Sequence, residues 1–235
     1  MRKISLLLFL LLATVPLYAR RLYITRHGQV GFSEFRDHEL REEKLTPLGR
    51  TQADLLGIHL KDVHKFDGTI IVSPILRTVE TGVIIADIFG KKVVLDPGIQ
   101  EVNRTRHVYG MDLAQAEKRF PGKCVPAKNF SHPWRVTNEN QEIWTKRYIR
   151  EMDRILKEYP GDLLLVTHAG GVGAMVPELC RRGGVAHPAG SYYNCALFVI
   201  ELDGNDHPVS VRFFVDYIPR ESITSNRSFP FAKKK

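Results

Sequence analysis

Three stretches of this chain bring together residue types able to hold and transfer an anionic group. They are Arg26-His27-Gly28, Ser73-Pro74-Ile75-Leu76-Arg77-Thr78 and Thr167-His168-Ala169-Gly170-Gly171. Each follows a short run of β-branched or aliphatic residues, the pattern of a buried strand. In an α/β sheet the C-terminal ends of the strands border the ligand crevice, so parallel strands would converge all three on one site. The joint inventory is two arginines, two histidines and the N-termini of helices. Guanidinium groups pair bidentately with phosphate oxygens, and a helix beginning at Ala169 adds oriented N–H groups. A neutral imidazole can accept a phosphoryl group covalently. A single Arg-His-Gly tripeptide arises often by chance, and a lone strand-end histidine is more often packed than catalytic. The three stretches together, each at a strand end, point to phosphoryl chemistry.

The elements that must position these groups alternate between strand and helix patterns, which predicts a layered α/β fold. Strands are predicted at Leu22–Thr25, Thr69–Val72, Val93–Leu95, Leu163–Thr167, Ala196–Leu202 and Val209–Val215. One helix starts at Thr46-Pro47, where Thr46 can cap and Pro47 suits the first turn. Its predicted inner face is Leu48, Leu55, Leu56, Leu60 and Val63. A second helix follows Ser73-Pro74 and runs to about Phe89-Gly90. A third carries Trp144, Tyr148, Met152, Ile155 and Tyr159 at helical spacing and stops at Pro160-Gly161; that aromatic stripe reads as a core face. The connections Gln29–Leu45 and Gln100–Thr137 are long and weakly patterned, as lids and binding loops are.

The full chain has 235 residues, 43% of them hydrophobic and 26% charged, which excludes a disordered protein. Arg2 and Lys3 precede a mostly apolar run, Ile4–Val15, which closes on Pro16-Leu17-Tyr18-Ala19. This is the pattern of a secretory signal peptide cut after Ala19, and the run is short for ~30 Å of hydrocarbon. The expectation is an exported protein, periplasmic or secreted, with residues 20–235 forming one domain and no stable membrane insertion. The formal charge is +8, or +6 without Arg2 and Lys3, a mild excess compatible with an anionic ligand. The arginines are dispersed and no recognition-helix or zinc-finger pattern accompanies them, so nucleic acid is not an expected partner. Cys124, Cys180 and Cys195 form no C-x-x-C pair, which removes support for structural zinc; burial is expected for all three.

Arg26-His27-Gly28-Gln29 resembles the signature of the histidine phosphatase superfamily, branch 1, the phosphoglycerate mutase-like proteins. Leu45-Thr46-Pro47-Leu48-Gly49-Arg50-Thr51-Gln52-Ala53 resembles that family's next motif. Ser73-Pro74 through Arg77-Thr78 and Glu80-Thr81 resembles a third, and Val166-Thr167-His168-Ala169-Gly170 the second-histidine motif. The likeness extends from about residue 21 to about residue 200. It implies a three-layer α/β/α sandwich around a mostly parallel central sheet. It also implies that His27 is the nucleophile and that Arg26, Arg77 and His168 hold the transferring oxygens. The family's proton donor is an acidic residue after the third strand, a place occupied here by Glu101, with Asp96 and Asp112 as alternatives. Where the family pattern expects glycines soon after that acid, this chain has Val102–Gly110, longer and more basic; Arg104, Arg106 and His107 are candidate substrate contacts.

Hydrolysis of phosphate monoesters is among the slowest uncatalysed reactions, demanding accelerations up to ~10²¹. Splitting it into transfer to His27 and hydrolysis of the phosphohistidine gives two easier steps. Neighbouring arginines disfavour the imidazolium and so keep His27 nucleophilic. No metal or other cofactor is expected, because arginines beside His27 and His168 make a poor site for a divalent cation. The expected partner is a small phosphorylated substrate or phosphate. A phosphate-moving mutase and a silent phospho-ligand binding module are the competing readings.

Overall fold

The computed structural model describes residues 19–31, 44–101, 110–130, 139–190 and 192–224. The expected signal peptide, except Ala19, lies outside these residues, as do Arg104, Arg106 and His107. Within the described residues seven strands form one sheet: β1 (Arg20–Arg26), β2 (Thr69–Val72), β3 (Val93–Leu95), β4 (Cys124–Pro126), β5 (Leu163–Thr167), β6 (Leu197–Leu202) and β7 (Pro208–Phe214), in the order β4-β3-β2-β5-β1-β6-β7. Pairing is parallel from β4 through β1; β6 runs antiparallel to both β1 and β7. Among the described residues five helices flank the sheet: α1 (Pro47–Asp62), α2 (Leu76–Ile88), α3 (Leu113–Arg119), α4 (Gln141–Glu158) and α5 (Ala169–Gly183).

Alternation along the central strands makes the layers. Leu22, Ile24, Leu163 and Leu165 pack with Tyr148, Met152 and Ile155 of α4 and with Val172, Met175 and Leu179 of α5. Tyr23, Leu164 and Val166 point the other way, onto Leu56 and Leu60 of α1 and Val79 and Val83 of α2. The central strands are thus covered on both faces, which is why they read as continuous apolar runs. Thr46 caps α1, its Oγ1 accepting from Gly49 N at 3.0 Å, with Pro47 in the first turn.

Three expectations are corrected. The inner face of α1 is Gly49, Gln52, Ala53, Leu56, Gly57 and Leu60; Leu48 and Leu55 are half-buried and Val63, past the helix end, is 61% exposed. Gly57 lies on this face, where a Cβ would meet the tip of the Ile88 side chain and Ile85 Cα of α2. The connection after Gln100 is not structureless: it contains α3, started by a capping box between Asp112 and Gln115, and the edge strand β4. Three-residue strands and two-turn helices leave almost no periodicity to read. Cys180 and Cys195 are buried, but Cys124 on that edge strand is only half-buried; all three are free thiols. No helix among the described residues is long and apolar enough to cross a membrane.

Leu165 is fully buried in the central strand. Leu165→Ala is expected to lower unfolding stability by about 2–5 kcal/mol, through lost transfer energy and the cavity left behind, as read by urea denaturation.

Candidate active site

Strand register places the site. Arg26 on β1 lies opposite Thr167 on β5, and His27 N continues that ladder by donating to Thr167 O at 3.0 Å. Val72 on β2 lies opposite Val166, and Ser73 N donates to Val166 O at 3.1 Å. Three adjacent strand ends therefore deliver His27, His168 and Ser73 side by side, and Arg77 enters in the first turn of α2.

The hydrogen bonds assign the proton on each ring. His27 Nδ1 lies 2.8 Å from Gly28 O. A carbonyl only accepts, so Nδ1 carries the hydrogen and Nε2 presents a lone pair. That lone pair accepts from Arg77 Nε at 3.1 Å. The His168 ring stands 5.4 Å from His27, centroid to centroid. Its Nε2 is 2.8 Å from Ser73 Oγ. The arrangement that gives both ring nitrogens a partner puts the hydrogen on Nδ1, toward Glu101 Oε2, and has Nε2 accept from the Ser73 hydroxyl. Glu101 Oε2 lies 3.5 Å from that Nδ1 and 3.7 Å from Arg77 Nη2. Arg26 is buried; its Nη1 donates to Tyr192 O at 3.0 Å, and its Nε has no hydrogen-bond partner among the described residues.

Burial is the main electrostatic influence here. It holds the His27 imidazole well below the ordinary histidine range, with the Arg77 and Arg26 cations adding to the effect. His168 is held down in the same way, by burial first and then by Arg77, His27 and Arg26. The sequence attributed a neutral His27 to the arginines; they contribute, but the low-polarity surroundings contribute more. Arg26 is brought down to about 10 by burial, which leaves it cationic at neutral pH. The result is two neutral rings, one offering a lone pair and the other an N–H, beside cationic guanidiniums.

The backbone carrying His27 is held from several directions. A Cβ on Gly28 would come within 2.4 Å of Gly49 O, and one on Gly49 within 2.1 Å of Gln29 O, so the loop and the start of α1 can touch only as two glycines. Gly28 N donates to Thr81 Oγ1 at 3.0 Å. A chain of side-chain bonds then spans the loop. Gln29 N donates to Gln52 Oε1, Gln52 Nε2 to Thr224 Oγ1, Thr224 Oγ1 to Asn194 Oδ1, and Asn194 Nδ2 to His27 O, at 2.9, 2.9, 3.1 and 2.9 Å.

The structure gathers Arg26, His27, Arg77, His168 and Glu101, and Ala169 opens α5 directly behind His168. The alternative acids have other partners. Asp96 accepts from Gly98 N and pairs with Arg154, while Asp112 caps α3. Sequence reasoning missed the supporting residues. Ser73, Gln52 and Thr81 lay inside the quoted motifs without a role; Asn194 and Thr224 carried no signal, being isolated polar residues near the end of the chain. Among the described residues no cluster of three or more His, Cys, Asp or Glu is placed to hold a metal ion.

Neutral buried histidines make the fold acid-labile. Unfolded imidazoles titrate near pH ~6.5, so below that the unfolded chain takes up protons that His27 and His168 refuse. Stability is full above this value and falls as pH drops, by up to about 1.4 kcal/mol per pH unit for each histidine. Urea titrations at several pH values are expected to show this loss, with a shallower slope in His27→Gln.

Known proteins share the fold and the sequence pattern. A 169-residue stretch is 29% identical to putative phosphoserine phosphatase 2 of Hydrogenobacter thermophilus, covering 70% of this chain and 80% of that protein. The fold is shared with the Bacillus stearothermophilus protein YhfR at a TM-score of 0.60 and 22% identity, covering 86% of this chain and 100% of that one. It is also shared with the mycobacterial glucosyl-3-phosphoglycerate phosphatase solved with VO3, at a TM-score of 0.55 and 21% identity, covering 84% and 98%. The family description that matches residues 22–214, a span holding both histidines, both arginines and Glu101, is that of branch 1; the chain belongs to the histidine phosphatase superfamily.

Proposed function

We propose that this protein is a phosphomonoester hydrolase that works without a metal, through a phosphohistidine on His27. The observation that carries the reading is the unprotonated Nε2 of His27, turned toward Arg77 within a buried set of cations. Family membership and the phosphatase names of its relatives support it, as does the vanadium oxyanion in the mycobacterial structure.

In the first step Arg77 Nε passes its hydrogen bond from His27 Nε2 to a phosphoryl oxygen, the freed lone pair attacks phosphorus, and the ester P–O bond breaks. Arg26, Arg77 and the His168 Nδ1–H hold the equatorial oxygens, where charge is spread in the transition state. The first N–H groups of α5, from Ala169 onward, lack partners within the helix and can add to this cradle. Glu101 gives its proton to the departing alkoxide. In the second step water attacks the phosphohistidine, Glu101 takes the proton back, and the P–N bond breaks to release orthophosphate. The scheme has the chain act on a small phosphorylated substrate, after export if the N-terminal segment is cut at Ala19.

A rapid quench into alkaline detergent, in which a P–N bond survives, should leave label from a labelled phosphomonoester on the wild type and none on His27→Ala. Turnover of alkyl phosphates by Glu101→Gln should fall ~10²–10⁴-fold, the usual contribution of a general acid. The pH optimum should lie on the acidic side of neutral, and a profile rising steadily to about pH 9 would exclude Glu101 as the essential donor. Rapid conversion of 3-phosphoglycerate to 2-phosphoglycerate with catalytic bisphosphoglycerate, and no phosphate release, would instead identify a mutase. Phosphate binding without turnover of any ester would identify a silent binding module.

A further inference from the structure

Glu101 stands just beyond the short helical turn Pro97–Ile99, on a segment with no sheet or helix of its own. Yet three consecutive carbonyls before it are held. Arg147 Nη1 donates to Gly98 O at 2.8 Å and to Gln100 O at 3.1 Å. Thr167 Oγ1 donates to Ile99 O at 2.9 Å, and Tyr148 OH to Gln100 O at 2.6 Å. Arg147 is itself fixed: its Nε and Nη2 grip both carboxylate oxygens of Glu139 at 2.6 and 2.8 Å, and its guanidinium lies 4.5 Å from the Tyr148 ring centroid.

The Arg147–Glu139 pair is buried on both sides. Burying an ion pair costs desolvation, and apolar residues of similar volume often hold a helix against a sheet as well or better. What apolar packing cannot supply is direction. The planar guanidinium turns one edge to a carboxylate and another to the peptide that ends at Glu101. Glu139 also cancels the cation, so Arg147 grips these carbonyls without adding a net charge to the group already formed by Arg26, Arg77 and the two histidines.

We propose that Arg147 and Tyr148, with Glu139, are positioning residues that hold the Glu101 carboxyl where it meets the leaving oxygen. The inference rests on the reading of Glu101 as proton donor. Tyr148→Phe deletes one hydroxyl and keeps the ring; Arg147→Lys keeps the charge and loses the fork. Each would be assayed on an alkyl phosphate, whose leaving group needs a proton, and on p-nitrophenyl phosphate, whose leaving group does not. A general acid contributes ~10²–10⁴-fold, so partial misplacement should lower kcat on the alkyl phosphate about 10-fold in Tyr148→Phe and up to about 100-fold in Arg147→Lys. The burst rate with p-nitrophenyl phosphate, which reports transfer to His27 and not the later attack of water, and orthophosphate binding should stay close to wild type. In a Glu101→Gln background neither substitution should slow the alkyl phosphate further, because groups that act as a unit are not additive. Equal losses on both substrates, or further loss in the Glu101→Gln background, would overturn the proposal in favour of a merely structural role. If Glu101→Gln alone left both rates intact, the assignment of the acid would fail, and this inference with it.

Discussion

The hydrogen bond from Arg77 Nε to His27 Nε2 can form only while that nitrogen is bare, and much of the molecule serves that condition. The Gly28 carbonyl claims the other ring nitrogen and so fixes the tautomer. Burial keeps a second proton off. Placing the two partners within reach requires β1 and β2 to flank β5 in the register seen, because His27 is a strand-end residue and Arg77 opens the helix after the next strand. Two arginines and two histidines sunk into one site carry a desolvation cost, which the two apolar cores on either side of the sheet must offset.

The candidate site residues were readable because their signals are local. A strand-end Arg-His-Gly, a Ser-Pro before a helix and a Thr-His-Ala-Gly before another each announce a backbone transition as well as a functional group. Five of the six strands predicted from apolar runs match within one residue at either end, and β1 starts two residues early, at Arg20. What could not be read was support that depends on tertiary placement. Asn194 and Thr224 act on the loop at His27 and on Gln52 from more than 160 positions away, and nothing about an isolated Asn or Thr reveals that. Tyr148 was correctly read as a core residue, but its hydroxyl reaches Gln100 O, a detail periodicity does not encode. The inner face of α1 differs for a related reason: a pattern of leucines marks apolar residues, whereas the buried face also takes in Gly49, Gln52 and Gly57.

Helix α4 shows one element meeting two demands. Met152 and Ile155 bury against the sheet with Tyr148, while Arg147, the residue before Tyr148, reaches the peptide bonds leading to Glu101. The same helix anchors elsewhere through Arg154, which joins Asp96 at the start of the Pro97–Ile99 turn to Glu151 and Glu158. Both ends of that turn are therefore tied to α4, and the acid is carried by a segment whose geometry is borrowed from a rigid neighbour.

The chain of bonds through Gln52, Thr224 and Asn194 closes over a loop laid down within the first thirty residues of the sequence. Contacts so distant along the polypeptide form late, because long loops must close before such contacts can reward the lost entropy. During synthesis, β1 and its histidine leave the ribosome long before the residue that completes their fastening, so a partly made chain carries the His27 ring without its final restraint.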